Sequence, residues 1–180
     1  MIIAMSGLPG VGKSTLAAAL APRFDAALLD KDQVRATIFP GSHVDYTLEQ
    51  DDFCVDVMYR TAAWLVGKDP ATVVMLDGCT YTRAYQVRTL RDTAAHLNQP
   101  LSIIECYCEP EIAITRLNDD LAAGRHPAEN RTASLYWEFH FRAETITEPK
   151  LRIDTSKAVD ECVKECLPYL VQAPAGVAAT

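Results

Sequence analysis

A run of nine residues near the start of the chain contains the eight-residue pattern G-x-x-x-x-G-K-[ST], with every fixed position matched. The run reads Gly7-Leu8-Pro9-Gly10-Val11-Gly12-Lys13-Ser14-Thr15. Glycines allow backbone conformations that a Cβ atom would exclude, so the N–H groups of the loop can point inward and cradle anionic oxygens. Lys13 can reach the β- and γ-phosphates, and the Ser14 hydroxyl is the expected ligand of a phosphate-bound Mg²⁺. All nine residues are therefore predicted to bind a nucleoside triphosphate.

The sequence on either side of this loop is the setting that the pattern requires. Met1–Met5 is a short apolar run typical of a buried parallel strand, and Leu16–Ala21 is strong helix-forming sequence. The alternative is a glycine-rich turn between a strand and a helix that binds nothing. A dinucleotide fingerprint, G-x-G-x-x-G, is excluded because Thr15 stands where the third glycine is required.

A second polar cluster follows the next apolar run, Leu28-Leu29, and comprises Asp30, Asp32 and Arg35. In open α/β sheets, ligands bind at the carboxyl ends of the strands, which is where this cluster is predicted to lie. Asp32 is predicted to accept the proton of an attacking hydroxyl, and Arg35 to hold a phosphate or the transferring phosphoryl group. The alternative is purely structural, with Asp30 capping a helix and Asp32 stabilising the helix dipole.

The apolar run Val73–Leu76 ends in Asp77-Gly78, a pattern in which the carboxylate holds Mg²⁺ or its water shell. The alternative is an aspartate in the turn that ends a strand. Arg83 follows shortly and is placed to face the same cleft. Two further arginines, Arg88 and Arg91, are predicted to lie on a solvated helix face.

Three arginines, Arg116, Arg125 and Arg131, bracket a polar segment that contains Gly124 and Pro127. This segment is predicted to form a lid over about residues 122–133. Arg116 is expected to bind the nucleotide, whereas Arg125 and Arg131 are expected to neutralise charge during phosphoryl transfer, with water excluded by lid closure. The alternative is a surface loop whose charges are solvated.

The order of apolar and amphipathic segments predicts an α/β fold. The candidate strands are Ile2–Met5, Ala26–Leu29, Thr72–Leu76, Leu101–Tyr107 and Leu151–Ile153. Most of them are continuous apolar runs, which are typical of a parallel sheet covered on both faces. The candidate helices between and after them are Lys13–Pro22, Asp32–Phe39, Leu48–Lys68, Thr82–Leu97, Pro110–Ala123, Ser134–Ala143 and Ala158–Leu170. The alternation of strands and helices implies right-handed βαβ units in three layers. Residues 1–170 are predicted to form one domain, and residues 171–180 a frayed tail.

Bulk properties exclude several classes of protein. The 180 residues carry a formal net charge of −7, so binding to long nucleic acid is not expected. No apolar run is as long as a membrane span, and the first residues do not resemble a signal peptide, so a cytoplasmic protein is predicted. The six cysteines are predicted to be reduced and to serve as small buried hydrophobes rather than metal ligands.

These motifs resemble those of the small P-loop kinases of the polynucleotide kinase-like, AAA-domain-like group. That group includes adenylylsulfate, gluconate and chloramphenicol kinases and zeta toxins. The matching residues are Gly7–Thr15, Asp32 and Arg35, Leu76-Asp77 with Arg83, Arg116, and the turn Ile153-Asp154-Thr155-Ser156. The resemblance implies a five-stranded core of the nucleoside-kinase type, ATP with Mg²⁺, and a base at Asp32 with a phosphate-positioning arginine at Arg35.

One departure from the group concerns the helix before the lid. Many relatives carry a second arginine about one helical turn after the residue that matches Arg116, but this chain has Asp119 and Asp120 there. Arg125 or Arg131 would then have to replace it.

The predicted function is ATP-dependent transfer of a phosphoryl group to a hydroxyl of a small molecule or a short polynucleotide end. The acceptor is expected between Asp32 and the segment His43–Met58, which holds Tyr46, Glu49 and Asp51. The identity of the acceptor and the oligomeric state stay open. The alternative is a nucleotide-binding regulatory ATPase that phosphorylates no small molecule.

Overall fold

Five parallel strands form one sheet in the order β2-β3-β1-β4-β5. The computed structural model describes residues 1–123 and 132–172. The strands are β1 (Ile2–Ser6), β2 (Ala27–Asp30), β3 (Val74–Asp77), β4 (Leu101–Tyr107) and β5 (Leu151–Asp154). All four pairings are parallel, as the continuous apolar runs predicted.

Helices cover both faces of this sheet. They are α1 (Lys13–Leu20), α2 (Lys31–Ile38), α3 (Leu48–Lys68), α4 (Ala84–His96), α5 (Pro110–Ala122), α6 (Ala133–Arg142) and α7 (Val159–Val171). Side chains of β1 alternate between two cores: Ile3 and Met5 pack with α1, α5 and α7, whereas Ile2 and Ala4 pack with α3 and α4. The predicted three-layer α/β fold of P-loop kinases is confirmed.

The sheet order determines where a ligand can bind. Strand β1 lies at the centre, between β3 and β4, so its carboxyl end meets the carboxyl ends of both neighbours. The chain leaves β1 for α1 on one side of the sheet and enters β4 from α4 on the other. Such a reversal opens a crevice at the carboxyl edge, and the Gly7–Thr15 loop lies in it.

Two helix starts differ in how well the sequence predicted them. Asp30 caps α2, because its Oδ1 accepts a hydrogen bond of 2.8 Å from the Asp32 N–H, as the capping interpretation predicted. The prediction that α4 begins at Thr82 is wrong, since α4 begins at Ala84. There the Ala84 N–H donates to Oε2 of Glu144 at 2.7 Å, a carboxylate that the tertiary fold brings to the helix N-terminus.

Three further predictions concern the cysteines, membrane-spanning helices and two segments of the chain. The six cysteines are free thiols, and all but Cys108 are buried, as predicted. Within the described ranges, no helix has the length and apolar character needed to span a membrane. Residues 124–131, with Arg125 and Arg131, lie outside the described residues, as do residues 173–180 of the predicted tail.

Candidate active site

The Gly7–Thr15 loop joins β1 to α1, and α1 begins at Lys13 as expected. Two of its glycines are required by the fold. Gly7 and Gly10 have φ angles of 131° and 79°, which side chains rarely adopt. A Cβ atom on Gly7 would overlap the carbonyl oxygen of Cys106, and one on Gly10 would lie 2.5 Å from that of Ala113. The loop therefore packs directly against the backbone of β4 and α5.

Lys13 folds its side chain back over its own loop. Its Nζ donates hydrogen bonds of 2.8 Å to the carbonyl oxygens of Gly7 and Leu8, and the residue is only 7% exposed. The ammonium group is thus fixed at the rim of the loop. Ser14 and Thr15 follow it in the first turn of α1, where both are exposed.

Thr155, in the turn after β5, ties the loop to two other elements. Its hydroxyl donates to the carbonyl oxygen of Val11 at 2.5 Å, and its N–H donates to that of Tyr107 at 2.9 Å. Its own carbonyl oxygen accepts a 2.8 Å hydrogen bond from Nη2 of Arg116. A single buried residue therefore sets the position of both the loop and Arg116.

We expect Thr155→Val to weaken nucleotide affinity about two- to tenfold, because valine keeps the shape but cannot donate to the Val11 carbonyl. Thr155→Ser keeps the hydroxyl and serves as the matched control, with affinity near that of the wild type. Isothermal titration calorimetry with ATP and Mg²⁺ measures both. Equal affinity in the valine variant would show that the loop holds its shape without this bond.

Across the cleft from the loop, four charged side chains form one network. Arg35 is 2% exposed, and its Nη1 donates to Oδ1 of Asp32 at 2.5 Å while its Nη2 pairs with Oδ1 of Asp51. Lys31 lies 2.9 Å from Oδ2 of Asp51 and 3.8 Å from Oδ1 of Asp32. Burial disfavours the charge of Arg35, but the carboxylates of Asp51 and Asp32 outweigh it and raise the pKa of Arg35.

Two carboxylates lie side by side at the ends of β2 and β3, because Asp30 pairs with Asp77 in the sheet register. Burial, and then the charge of Asp77, raise the pKa of Asp30. Asp77 is 1% exposed, and its Oδ1 has no hydrogen-bond partner among the described residues. A buried carboxylate oxygen without a partner suits a hard cation or the water that the cation carries.

The raised pKa of Asp30 predicts a pH dependence of stability. The folded state holds the Asp30 proton more tightly than the unfolded chain, so stability is lost as pH rises above about 4 through the folded pKa. Asp30→Asn keeps an oxygen to cap α2 but carries no charge. We therefore expect a higher melting temperature than wild type at pH 7, and a difference that vanishes toward pH 4.

Thermal unfolding followed by circular dichroism from pH 4 to pH 8 tests this expectation. Asp92→Asn is the control, because the Asp92 side chain is 62% exposed and its removal should change little. A lower melting temperature for Asp30→Asn at pH 7 would mean that the negative charge of Asp30 stabilises the fold.

The loop and the charged network enclose a cavity of about 450 Å³, called here the loop cavity. Its wall comprises the loop residues Pro9, Gly10, Gly12, Lys13, Ser14 and Thr15, the network residues Lys31, Asp32, Arg35 and Asp51, and Tyr46, Gly78, Thr80, Arg116, Asp119, Asp120, Leu135 and Phe139. A volume of this size is typical of small-molecule sites.

A second cavity of about 310 Å³ adjoins the first and extends between α3, α4 and α6. It is called here the α3–α4 cavity, and it is lined by Lys31, Asp45, Tyr46, Leu48, Asp51, Asp52, Val55, Cys79, Thr80, Arg83, Gln86, Leu135, Glu138, Phe139 and Arg142. Six of these residues also line the loop cavity. The two cavities are therefore two parts of one cleft.

The structure brings most of the predicted site residues to this cleft. Asp32, Arg35, Lys13, Ser14, Thr15 and Arg116 share the loop cavity, and Gly78 rather than its neighbour Asp77 lines it. Gly7, Leu8 and Val11 line a smaller cavity of about 200 Å³ on the other side of the loop. Of the residues suggested for the acceptor, Tyr46 and Asp51 lie in the cleft, whereas Glu49 is exposed and lines neither cavity.

The sequence did not predict two contacts of the site. Lys31 was given no role, because a lysine beside a motif cannot be told from a surface lysine until Asp51 is placed opposite it. Thr155 belonged to a matching turn, but its contact with Val11 spans 144 positions of the chain. The sequence carried no local signal for either contact.

Several solved structures, among them two kinases, share this fold. A gluconokinase from Sinorhizobium meliloti is 16% identical, with a TM-score of 0.69 over 94% of this chain and 91% of that one. The Mycobacterium tuberculosis APS kinase CysC, solved with AMPPNP and APS, is 18% identical, with a TM-score of 0.70 over 95% and 97%. Chaetomium thermophilum Kti12, solved with ADP-AlF3, is 16% identical, with a TM-score of 0.73 over 98% and 100%.

The sequence shows to which protein family the chain belongs. No curated protein matches the chain. A family profile for an AAA domain matches residues 2–137, which is well over half of the chain and includes the phosphate loop, the charged network and Arg116. The chain therefore belongs to this AAA domain family, and its fold is that of the P-loop kinases that its sequence resembles.

Proposed function

We propose that this protein is an ATP-dependent phosphotransferase that moves the γ-phosphoryl group to a hydroxyl of a small acceptor. One observation carries the proposal: the phosphate loop forms one wall of a cleft whose opposite wall holds the Asp32–Arg35 pair. A site that only binds a nucleotide would not require a carboxylate and a guanidinium opposite the phosphates. A kinase requires both, for the proton of the acceptor and for the transferring charge.

The proposed nucleotide site consists of the phosphate loop and the residues next to it. The loop amides and Lys13 would bind the β- and γ-phosphates, with the N-terminus of α1 adding its positive dipole. Arg116 lies beside Gly12 and would bind the nucleotide next to the loop. Ser14 would hold Mg²⁺ directly and Asp77 its water shell, and the ion would supply charge neutralisation between the phosphates.

The proposed acceptor site lies at the charged network of Lys31, Asp32, Arg35 and Asp51. Asp32 would accept the proton of the attacking hydroxyl, and its hydrogen bond from Arg35 orients the carboxylate within the cleft. Because Arg35 is buried and held by two aspartates, its position is fixed before the acceptor binds, which is the arrangement that stabilises a developing charge best. Arg125 and Arg131 are still expected to help neutralise the charge that develops during phosphoryl transfer.

A screen of ATP consumption tests the proposal. Purified protein is incubated with ATP, Mg²⁺ and hydroxylated metabolites, amino alcohols, sugars, sugar acids and short RNA ends, and ADP formation is recorded. We expect at least one compound to raise ADP formation well above the rate without acceptor, and mass spectrometry to show the phosphorylated product.

Lys13→Ala is expected to lose both nucleotide affinity and turnover, because the loop then lacks its ammonium charge.

The alternative, a nucleotide-dependent regulatory protein, is distinguished by the same screen. The similarity to Kti12, whose structure contains ADP-AlF3, is the observation in its favour. It predicts slow hydrolysis that no small hydroxyl compound accelerates, together with binding to a protein partner that depends on the nucleotide. The α3–α4 cavity favours a kinase, because it adjoins the loop cavity that Asp32 lines and offers room for a small acceptor.

A further inference from the structure

The charges that line the α3–α4 cavity are unequally paired. Its carboxylates all have donors: Asp51 pairs with Lys31, Glu138 with Arg142 at 2.5 Å, Asp52 accepts from the Tyr85 hydroxyl at 3.1 Å, and Asp45 accepts from the N–H and hydroxyl of Thr47. Of the cations in this wall, Lys31 and Arg142 are therefore neutralised. The side chain of Arg83 has no hydrogen bond or ion pair to any residue in 1–123 or 132–172.

A second polar group in the same wall also lacks a partner. The Oε1 atom of Gln86 is buried and accepts no hydrogen bond from the described residues. Gln86 follows Arg83 by three positions, so the two side chains lie on one face at the start of α4. A buried acceptor without a donor is unfavourable, and a ligand that supplies a hydroxyl would remove the penalty.

We infer that the acceptor is a small hydroxylated anion whose carboxylate or phosphate binds Arg83 and one of whose hydroxyls donates to Gln86. The inference rests on the proposed phosphotransferase and deepens it. The planar guanidinium of an arginine matches either anionic group with two parallel hydrogen bonds. A neutral polyol would leave the charge of Arg83 uncompensated, and an amine would be repelled by it.

The position of Arg83 and Gln86 in the cleft suits the proposed reaction. The α3–α4 cavity meets the loop cavity at Lys31, Tyr46, Asp51 and Thr80, so an acceptor held at the start of α4 extends toward Asp32. Its anionic group then stays on the far side of the cleft from the triphosphate. This separation keeps two negative groups apart and leaves a different hydroxyl of the acceptor to be phosphorylated.

Matched pairs of probes test the inference by binding rather than by turnover. The protein is saturated with AMPPNP and Mg²⁺, and calorimetry compares D-gluconate with D-sorbitol and glycerol 3-phosphate with glycerol. We expect an anionic member to bind at least about tenfold more tightly than its neutral partner, as a charge-assisted pair predicts. The two pairs distinguish a carboxylate from a phosphate as the group that is recognised.

Variants of α4 identify the residues responsible. Arg83→Gln is expected to abolish the preference for the anion, whereas Arg88→Gln, an exposed arginine on the same helix, should leave it unchanged. Gln86→Leu should lower the affinity for the hydroxylated anion several-fold and keep the preference for charge. Equal binding of anionic and neutral members, or an Arg83→Gln variant that binds the anion as wild type does, overturns the inference.

The two proposals fail in different ways. A protein that prefers anions through Arg83 but transfers no phosphoryl group to any acceptor would contradict the proposed function alone. A protein that phosphorylates a neutral acceptor, with Arg83→Gln fully active, would contradict only the anionic acceptor.

Discussion

Asp32→Asn is expected to lower the turnover number about 10²–10⁴-fold while leaving ATP affinity near that of the wild type. Asparagine has almost the same size but cannot accept a proton, so the acceptor hydroxyl would lose its general base. The nucleotide site should not change, because Asp32 lies across the cleft from the phosphate loop. Steady-state kinetics with the acceptor found in the screen, and calorimetry with ATP and Mg²⁺, measure the two effects separately.

The control for this variant must remove a partner of Arg35 without removing the base. Asp51→Asn does so, because Asp51 shares Arg35 with Asp32 and also holds Lys31. We expect Asp51→Asn to weaken acceptor binding and stability, with a far smaller loss of turnover than in Asp32→Asn. If Asp32→Asn keeps near-normal turnover, or if the two variants lose turnover equally, Asp32 is not the base and only supports Arg35.

Gly10→Ala is expected to lower the melting temperature by roughly 6–12 °C, because about 3 kcal/mol of stability would be lost in a domain of this size. Two costs combine. The φ angle of Gly10 is 79°, which disfavours any side chain, and a Cβ atom would lie 2.5 Å from the Ala113 carbonyl oxygen and 2.8 Å from Cγ of Leu117. Neither neighbour can move easily, since both belong to the buried side of α5.

Gly12→Ala separates these two costs. Gly12 has a similar φ angle of 88°, but the nearest atom to its Cβ would be Nη1 of Arg116 at 3.3 Å, the far end of a long side chain. We expect about half the loss seen in Gly10→Ala, because only the backbone conformation is penalised. Thermal unfolding of both variants gives the comparison, and equal melting temperatures would mean that the contact with α5 contributes nothing.

Much of the fold and of the candidate site could be predicted from the sequence alone, because the patterns that indicate them lie within short stretches of the chain. The run Ile2–Met5 is apolar without alternation, which is a consequence of burial on both faces, and it forms most of the central strand β1. The phosphate loop was predicted residue by residue, since glycines and a lysine at fixed spacing have few other uses. Asp32 and Arg35 were placed beside it because parallel strands bring their carboxyl ends to one edge of the sheet.

Only the tertiary structure decided which distant groups meet. Glu144 accepts a hydrogen bond from the first N–H of α4, Thr155 donates to Val11, and Asp51 completes the network around Arg35 and Lys31. Each contact joins elements whose separation in the chain leaves no periodic or compositional trace. The same holds for the side chain of Arg83 and for Oε1 of Gln86, which have no hydrogen-bond partner among residues 1–123 and 132–172, because a lack of partners depends on everything packed around a residue. Local chemistry thus predicted the parts of the site, and long-range packing determined their geometry.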